Sequence, residues 1–142
     1  MQSLSPKINE LIELIQLENF DGTVLNETWL VTQNKHLLVE VAIHGYKDFH
    51  VGKPTPTGRW GGSIMYVKST LNPKERKSSA TGTREIIQVD VNPKTSVHMK
   101  LALIYRNERI AAADNDELYT MLEQICYHNM NASSWMILIF QT

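Results

Sequence analysis

Two apolar runs lying close together in the middle of the chain do most to limit what it can fold into. Ile86 to Val91 and Val97 to Tyr105 each have the length and composition of a strand, and Asn92-Pro93-Lys94-Thr95 between them is turn-forming. In the second run Val97, Met99, Leu101, Leu103 and Tyr105 share one face under the two-residue period of a strand. Tyr105 then leaves the core side where the strand ends, a place from which a side chain reaches substrate. Thr23 to Asn26 reads as a short buried strand, and Ser63 to Lys68 as another, followed by a turn at Asn72-Pro73. Trp135 to Phe140 is a last apolar strand, and the less periodic segment from Val31 to Pro56 carries a short strand near Tyr46 to Val51.

Helices fill the intervals. Ser5 suits an N-cap with Pro6 at the first helical position, and Ile8, Leu11, Ile12 and Ile15 recur at the spacing of an amphipathic helix that Asp21-Gly22 breaks. Asp114 to Asp116 cap a second helix with Leu118, Met121, Leu122 and Ile125 on its inner stripe. Helix, strands, helix, strand predicts an α/β sandwich, a single domain over residues 1–142.

The formal charge of −1 gives no global pull toward nucleic acid, so DNA affinity has to come from local patches. Lys68, Lys74, Arg76 and Lys77 around the Asn72-Pro73 turn form one such patch, which reads equally as a solvated turn. The single cysteine, Cys126, excludes an internal disulfide and a multi-cysteine zinc site, and its apolar neighbours predict a packing role. No apolar run is long enough to span a bilayer. The first apolar stretch, broken by Asn9, Glu10 and Glu13, lacks the form of a signal peptide. The default expectation is an intracellular protein, nuclear or cytoplasmic. His36, His44, His50, His98 and His128 have no metal-ligand spacing and read as solvated or structural.

Four segments carry chemistry, in order: Leu25-Asn26-Glu27-Thr28-Trp29-Leu30, Gly58-Arg59-Trp60-Gly61-Gly62-Ser63-Ile64-Met65-Tyr66-Val67, Leu103-Ile104-Tyr105-Arg106 and Ile137-Leu138-Ile139-Phe140-Gln141-Thr142. In the first, a carboxylate ends an apolar strand, a place suited to holding a divalent cation at a sheet edge. The series resembles the endonuclease/exonuclease/phosphatase superfamily, and within it the endonuclease domain of LINE-type (non-LTR) retrotransposon reverse transcriptases. That family reads roughly E-T-W-L, then G-R-x-G-G-G-x-x-x-Y-V, then Y-R-P-P, then I-x-G-D-F-N. Here the first pattern is complete, and the second keeps its residue types save that Ser63 stands for the last glycine, with one residue fewer before Tyr66-Val67. The third keeps Tyr105 and Arg106 but has Asn107 and Glu108 where the prolines belong, and the fourth is degraded.

The resemblance implies a partial α/β sandwich, roughly half of the family's, and Mg²⁺-dependent hydrolysis of phosphodiesters in DNA. It makes Glu27 the Mg²⁺ ligand, against the plainer reading of a surface glutamate. It makes Tyr105 a catalytic tyrosine beside the reacting phosphate, against the plainer reading of a core tyrosine. Arg106, on the opposite face, reads as structural. Glycines 58, 61 and 62 read as places of close backbone packing rather than a phosphate loop.

The same resemblance implies impaired catalysis. Aligning Phe140 with the family phenylalanine puts Ile139 and Gln141 where an aspartate and an asparagine orient the nucleophile and bind phosphate, and no aspartate follows Asp116. The family's later serine-aspartate-histidine group and the asparagine that opens its N-x-x-S-L start have no counterpart in these residues. Loss of a general base alone costs about 10²–10⁴ in rate. The expectation is therefore a truncated scaffold with weak or absent nicking. The alternative is a non-catalytic binding or self-associating module, its motive an unpaired inner sheet face. An accidental likeness of a small α/β domain is the third reading.

Overall fold

The computed structural model describes residues 8–26, 28, 39, 41–51, 62–80, 84–92, 99–106, 116, 119–120, 122–123 and 134–141, with Ile8 and 134–141 as backbone only. Helix α1, Ile8–Glu18, leads into β1, Gly22–Asn26. Next come β2 at Tyr46–Val51, β3 at Ser63–Lys68, β4 at Lys74–Ala80, β5 at Arg84–Val91, β6 at Met99–Arg106 and β7 at Ser134–Gln141. A short 3-10 turn, Ser69–Leu71, separates β3 from β4.

Ile12 and Ile15 lie on the buried stripe that the spacing of α1 predicts. The helix ends at Asn19, whose φ of 54° is left-handed and whose N–H reaches the Ile15 carbonyl at 3.1 Å. Ser5 and Pro6 lie outside the described residues.

The strands form two sheets. The first has the order β1-β3-β2, all antiparallel; the second has the order β4-β5-β6-β7, antiparallel except that β6 and β7 run parallel. Their inner faces pack on each other: Phe49, Val51, Met65 and Val67 of the first sheet meet Ile87, Val89, Val91 and Leu103 of the second. Each such side chain, fully buried, contributes about 1.5–3 kcal/mol over its exposed state. The outer face of the first sheet, with Ile64 and Tyr66, is covered by Ile15 of α1 and by Val41 and Ile43. The Tyr66 hydroxyl donates to the Val41 carbonyl at 2.7 Å, which fastens this cover. On the outer face of the second sheet Ile86 and Ile104 are packed by Leu122, a residue on the stripe read for the second helix. Cys126 and the rest of that stripe lie outside the described residues.

Three expectations change. Lys74–Ala80 is a paired edge strand, with a register shift between Glu75 and Lys77, where the sequence suggests only a charged turn. Its side chains are mostly exposed, so no apolar alternation marks it. The inner face of the first sheet is covered by the second, so the unpaired apolar face offered as the motive for self-association is absent from the described sandwich. Tyr105, expected to emerge from the core at the end of β6, is 1% exposed. The reason is that β6 is an interior strand, flanked by β5 and β7, in a sheet packed on both faces. No described helix is long and apolar enough to cross a membrane.

Candidate functional site

The inner positions of four strands follow from the two-residue period. Val24, Met65 and Val67, Ile87 and Leu103 belong to the core between the sheets. Asn26 on β1, Ser63 on β3, Glu85 on β5 and Tyr105 on β6 share parity with them and lie toward one end of the sandwich. Register fixes that end: Asn26 and Val51 both face Ser63, and Glu85 faces Tyr105. On β7 the backbone of Phe140 faces Tyr105, with Ile139 and Gln141 beside it.

At this end a polar cluster replaces the apolar core. Glu85, 1% exposed, accepts the Gly62 N–H on Oε2 at 2.7 Å and the Ser63 hydroxyl on Oε1 at 2.9 Å. The Ser63 Oγ also lies 3.1 Å from the Asn26 side-chain oxygen. Gly62 has a φ of 89°, a conformation that favours glycine, and its carbonyl accepts the Thr28 N–H at 3.0 Å. One residue thus ties the segment after β1 to the second sheet. This makes specific the close backbone packing read for the glycines; Gly58 and Gly61 lie outside the described residues.

A serine has one hydroxyl hydrogen and two acceptors face it. The arrangement is satisfied when Ser63 donates to the Glu85 carboxylate, the stronger charge-assisted bond, and the Asn26 carboxamide is turned so that its NH₂ donates to Ser63 Oγ. The Asn26 oxygen then points away from Ser63.

Of the two residues singled out for chemistry, Glu27 lies outside the described residues, between Asn26 and Thr28 in the chain. Tyr105 sits beside Glu85 on the inner face, buried. Sequence reading missed Glu85. The available signal was a carboxylate in phase with Ile87, Val89 and Val91, on the face that has to be apolar.

Among the described residues no group of three or more His, Cys, Asp or Glu is placed to hold a metal ion. The cluster is nevertheless all oxygen in kind, the donor chemistry that Mg²⁺ takes, and both Glu85 oxygens are already committed to hydrogen bonds. Of the basic residues read as a DNA patch, Lys74, Arg76 and Lys77 lie on β4 of the second sheet, where Lys74 faces Asp90 and Asp90 faces Lys100, while Lys68 ends β3 of the first sheet and pairs with Asp21 at 3.4 Å. The Lys100 pKa is lowered by burial and by the Arg76 charge, with Asp90 acting the other way. His50 lies half buried in β2 and His44 is exposed; the other three histidines lie outside the described residues.

No protein-family model matches the sequence, and no curated protein matches it. Solved structures do match. Truncated TDP2 from Caenorhabditis elegans superposes with a TM-score of 0.58 at 14% identity, over 94% of this chain and 54% of that one. The SeMet TDP2 structure from the same organism gives 0.57 at 12% identity, over 91% and 40%. AP endonuclease LMAP from Leishmania major gives 0.52 at 17% identity, over 71% and 34%. Both proteins belong to the endonuclease/exonuclease/phosphatase superfamily. This chain, spanning about half or less of their length, has part of that superfamily's α/β sandwich fold.

Proposed function

We propose that the chain is a phosphodiesterase-like nuclease domain of the endonuclease/exonuclease/phosphatase type, related to the endonucleases of retrotransposon reverse transcriptases, which keeps a Mg²⁺ site at Glu27 and has lost most of its hydrolytic power. The observation that carries this reading is the polar cluster at one end of the sandwich. It joins Asn26, which precedes Glu27, through Ser63 to Glu85, which pairs with Tyr105. In a core otherwise apolar, a buried carboxylate with two donors aimed at it marks where polar chemistry is kept.

In this reading Glu27 supplies the carboxylate for Mg²⁺. When bound, the ion polarises a phosphate and stabilises charge on the leaving oxygen. Tyr105, buried on the inner face, is the phenolic donor that this reading assigns to a phosphate oxygen. Impairment is inferred from the sequence pattern, which has an aspartate and an asparagine where this chain has Ile139 and Gln141; on β7 these pair with Ile104 and Arg106, and neither is a general base. DNA is the substrate class that the fold relatives suggest, since one of them is described as an AP endonuclease.

The test is nicking of supercoiled plasmid with and without Mg²⁺ by wild-type protein and Glu27→Ala. The expected result is no metal-dependent nicking above the mutant background. Nicking that requires Mg²⁺ and disappears in Glu27→Ala contradicts the impairment.

A second reading, a self-associating module, has a different observation in its favour. Leu14, Leu17 and Phe20, on and just after α1, are 48%, 81% and 42% exposed. A concentration-independent monomer in sedimentation velocity excludes it.

A further inference from the structure

The outer face of the second sheet gathers charge that the order of the sequence hides. Register places Lys74 of β4, Asp90 of β5 and Lys100 of β6 in one row across three strands. Asp90 alternates with Val89 and Val91, which belong to the core between the sheets, so this row lies on the outer face. The neighbouring row on that face holds Lys77 opposite Gln88. Lys74 and Lys77 have two residues between them, and an unbroken strand sends such positions to opposite faces. The register shift between Glu75 and Lys77 removes that conflict. It gives β4 one extra residue, as a β-bulge does, and so brings both lysines to the face of Asp90 and Gln88, while Glu75 pairs with Val89.

Arg76 is the extra residue, and its charge reaches Lys100: after burial, it is the second cause that lowers the Lys100 pKa, with Asp90 opposing. Lys74, Arg76 and Lys77 are exposed and Lys100 is half-buried. Like charges held this close destabilise a fold until something from outside neutralises them. The chain as a whole has a formal charge of −1, so its positive charge is segregated here. Glu10, Glu13, Glu18 and Asp21 lie on α1 and just after it, over the outer face of the first sheet, where Asp21 also holds Lys68 at 3.4 Å. Glu123 stands beside Leu122, which packs on Ile86 and Ile104, four residues along the strands from Asp90 and Lys100, or roughly 13 Å.

We propose that Lys74, Arg76, Lys77 and Lys100 form a surface that binds the phosphate backbone of duplex DNA, apart from the polar cluster at Glu85. The surface measures about 7 Å along the strands and about 10 Å across them at the backbone. Two or three phosphates of one DNA strand, at about 3.4 Å of rise each, cover that span. Cations on long stems suit backbone contacts, which fix position and carry no base sequence. A lipid surface calls in addition for apolar side chains that insert into it, and the residues between these cations are Asp90 and Gln88. The choice of DNA as partner rests on the nuclease reading; the surface involves neither a metal ion nor Glu27.

The experiment is fluorescence anisotropy of a labelled duplex about two helical turns long, in EDTA, at about 50 and 200 mM salt. The full chain is compared as wild type, Lys74→Gln/Lys77→Gln, Arg76→Gln/Lys100→Gln and Lys47→Gln/Lys68→Gln. The last pair removes the same charge from the first sheet. Melting and light scattering first establish that each variant is folded and monodisperse, and the second pair supplies the same test if the first associates. Four phosphate contacts weaken wild-type binding by about 150-fold between the two salt concentrations, and two contacts by about 12-fold. Wild type is expected to show the larger dependence, each patch variant the smaller one with weaker binding at low salt, and the first-sheet variant the wild-type behaviour.

Patch variants that bind the duplex as wild type does, with the same salt dependence, overturn the surface and leave the nuclease reading standing. Equal losses in the patch and first-sheet variants overturn it as well, since net charge then explains the binding. Vesicles of phosphatidylserine and phosphatidylcholine are expected not to compete with the duplex; displacement of the duplex by them overturns the assignment to DNA. Wild-type protein that does not bind the duplex at about 50 mM salt overturns the proposal outright, while plasmid nicking judges the nuclease reading separately.

Discussion

Removing the Glu85 side chain is the sharpest perturbation available, because its effect on stability can be estimated bond by bond. In Glu85→Ala the Gly62 N–H and the Ser63 hydroxyl lose acceptors at 2.7 and 2.9 Å in a place that is 1% exposed. A buried donor left without a partner costs about 1–3 kcal/mol, so the two together cost about 4 kcal/mol. The Ser63 hydroxyl recovers part of its loss by donating across the 3.1 Å contact to the Asn26 carboxamide, once that group turns its oxygen toward it. With an unfolding entropy of about 2.1 cal/mol/K per residue, a cost of this size lowers the melting temperature of a 142-residue chain by about 13 °C. Glu85→Gln keeps an acceptor for Gly62 and a donor for Ser63, and exchanges a charge-assisted bond for neutral ones at about 1 kcal/mol. Melting of the three proteins at pH 7, with urea titration as a check, measures both differences. The reasoning fails if Glu85→Ala melts within about 3 °C of wild type, a difference of about 1 kcal/mol. It also fails if the glutamine variant is as destabilised as the alanine one.

The remaining predictions bear on the scaffold. Tyr66→Phe removes the 2.7 Å bond to the Val41 carbonyl and is expected to cost about 1 kcal/mol at pH 7 by urea denaturation. Burial first, and the negative charge of Asp48 second, hold the Tyr66 pKa well above its usual range. The folded state therefore keeps a proton that the unfolded state gives up above about pH 10, and this part of the stability, complete below that pH, falls as pH rises further. Urea titrations between pH 9 and 11 should give a steeper loss for wild type than for Tyr66→Phe; equal slopes refute the assignment. Ile87→Ala, at a 0% exposed position between the sheets, should cost about 3–4 kcal/mol, while Leu17→Ala, at an 81% exposed position, should stay within about 0.5 kcal/mol. Replacing both Lys74 and Lys77, exposed on the edge strand β4, by valine should produce concentration-dependent association in light scattering, since edge lysines oppose strand-to-strand pairing.

What could be read from the sequence divides along physical lines. β5 and β6 lie at the centre of a sheet packed on both faces, so their apolar runs are long and their ends are marked by turn residues. β3 is buried on both faces in the same way, and the strand at Tyr46–Val51 is found where its short pattern suggests. β4 is an edge strand whose lysines, arginine and Ser79 face solvent, and its stability comes from pairing with β5, which no pattern in Lys74–Ala80 encodes. The α/β sandwich was legible, as was the inner parity of Met99, Leu101, Leu103 and Tyr105. The burial of Tyr105 was not, because it depends on β7 pairing alongside β6 from residues far away in the chain. Glu85 escaped for a similar reason: its meaning lies in the approach of Gly62 and Ser63 from the other sheet. A carboxylate in phase with a row of buried valines and isoleucine was the one local sign of it.

The central claim is that this end of the sandwich still holds Mg²⁺ through Glu27 although the hydrolytic groups are gone. It is tested most directly by titrating wild-type protein and Glu27→Ala with Mg²⁺ and following heat or amide shifts. The account predicts one saturable site in wild type that is absent from a folded Glu27→Ala. Equal binding by the two proteins, or none by either, contradicts it.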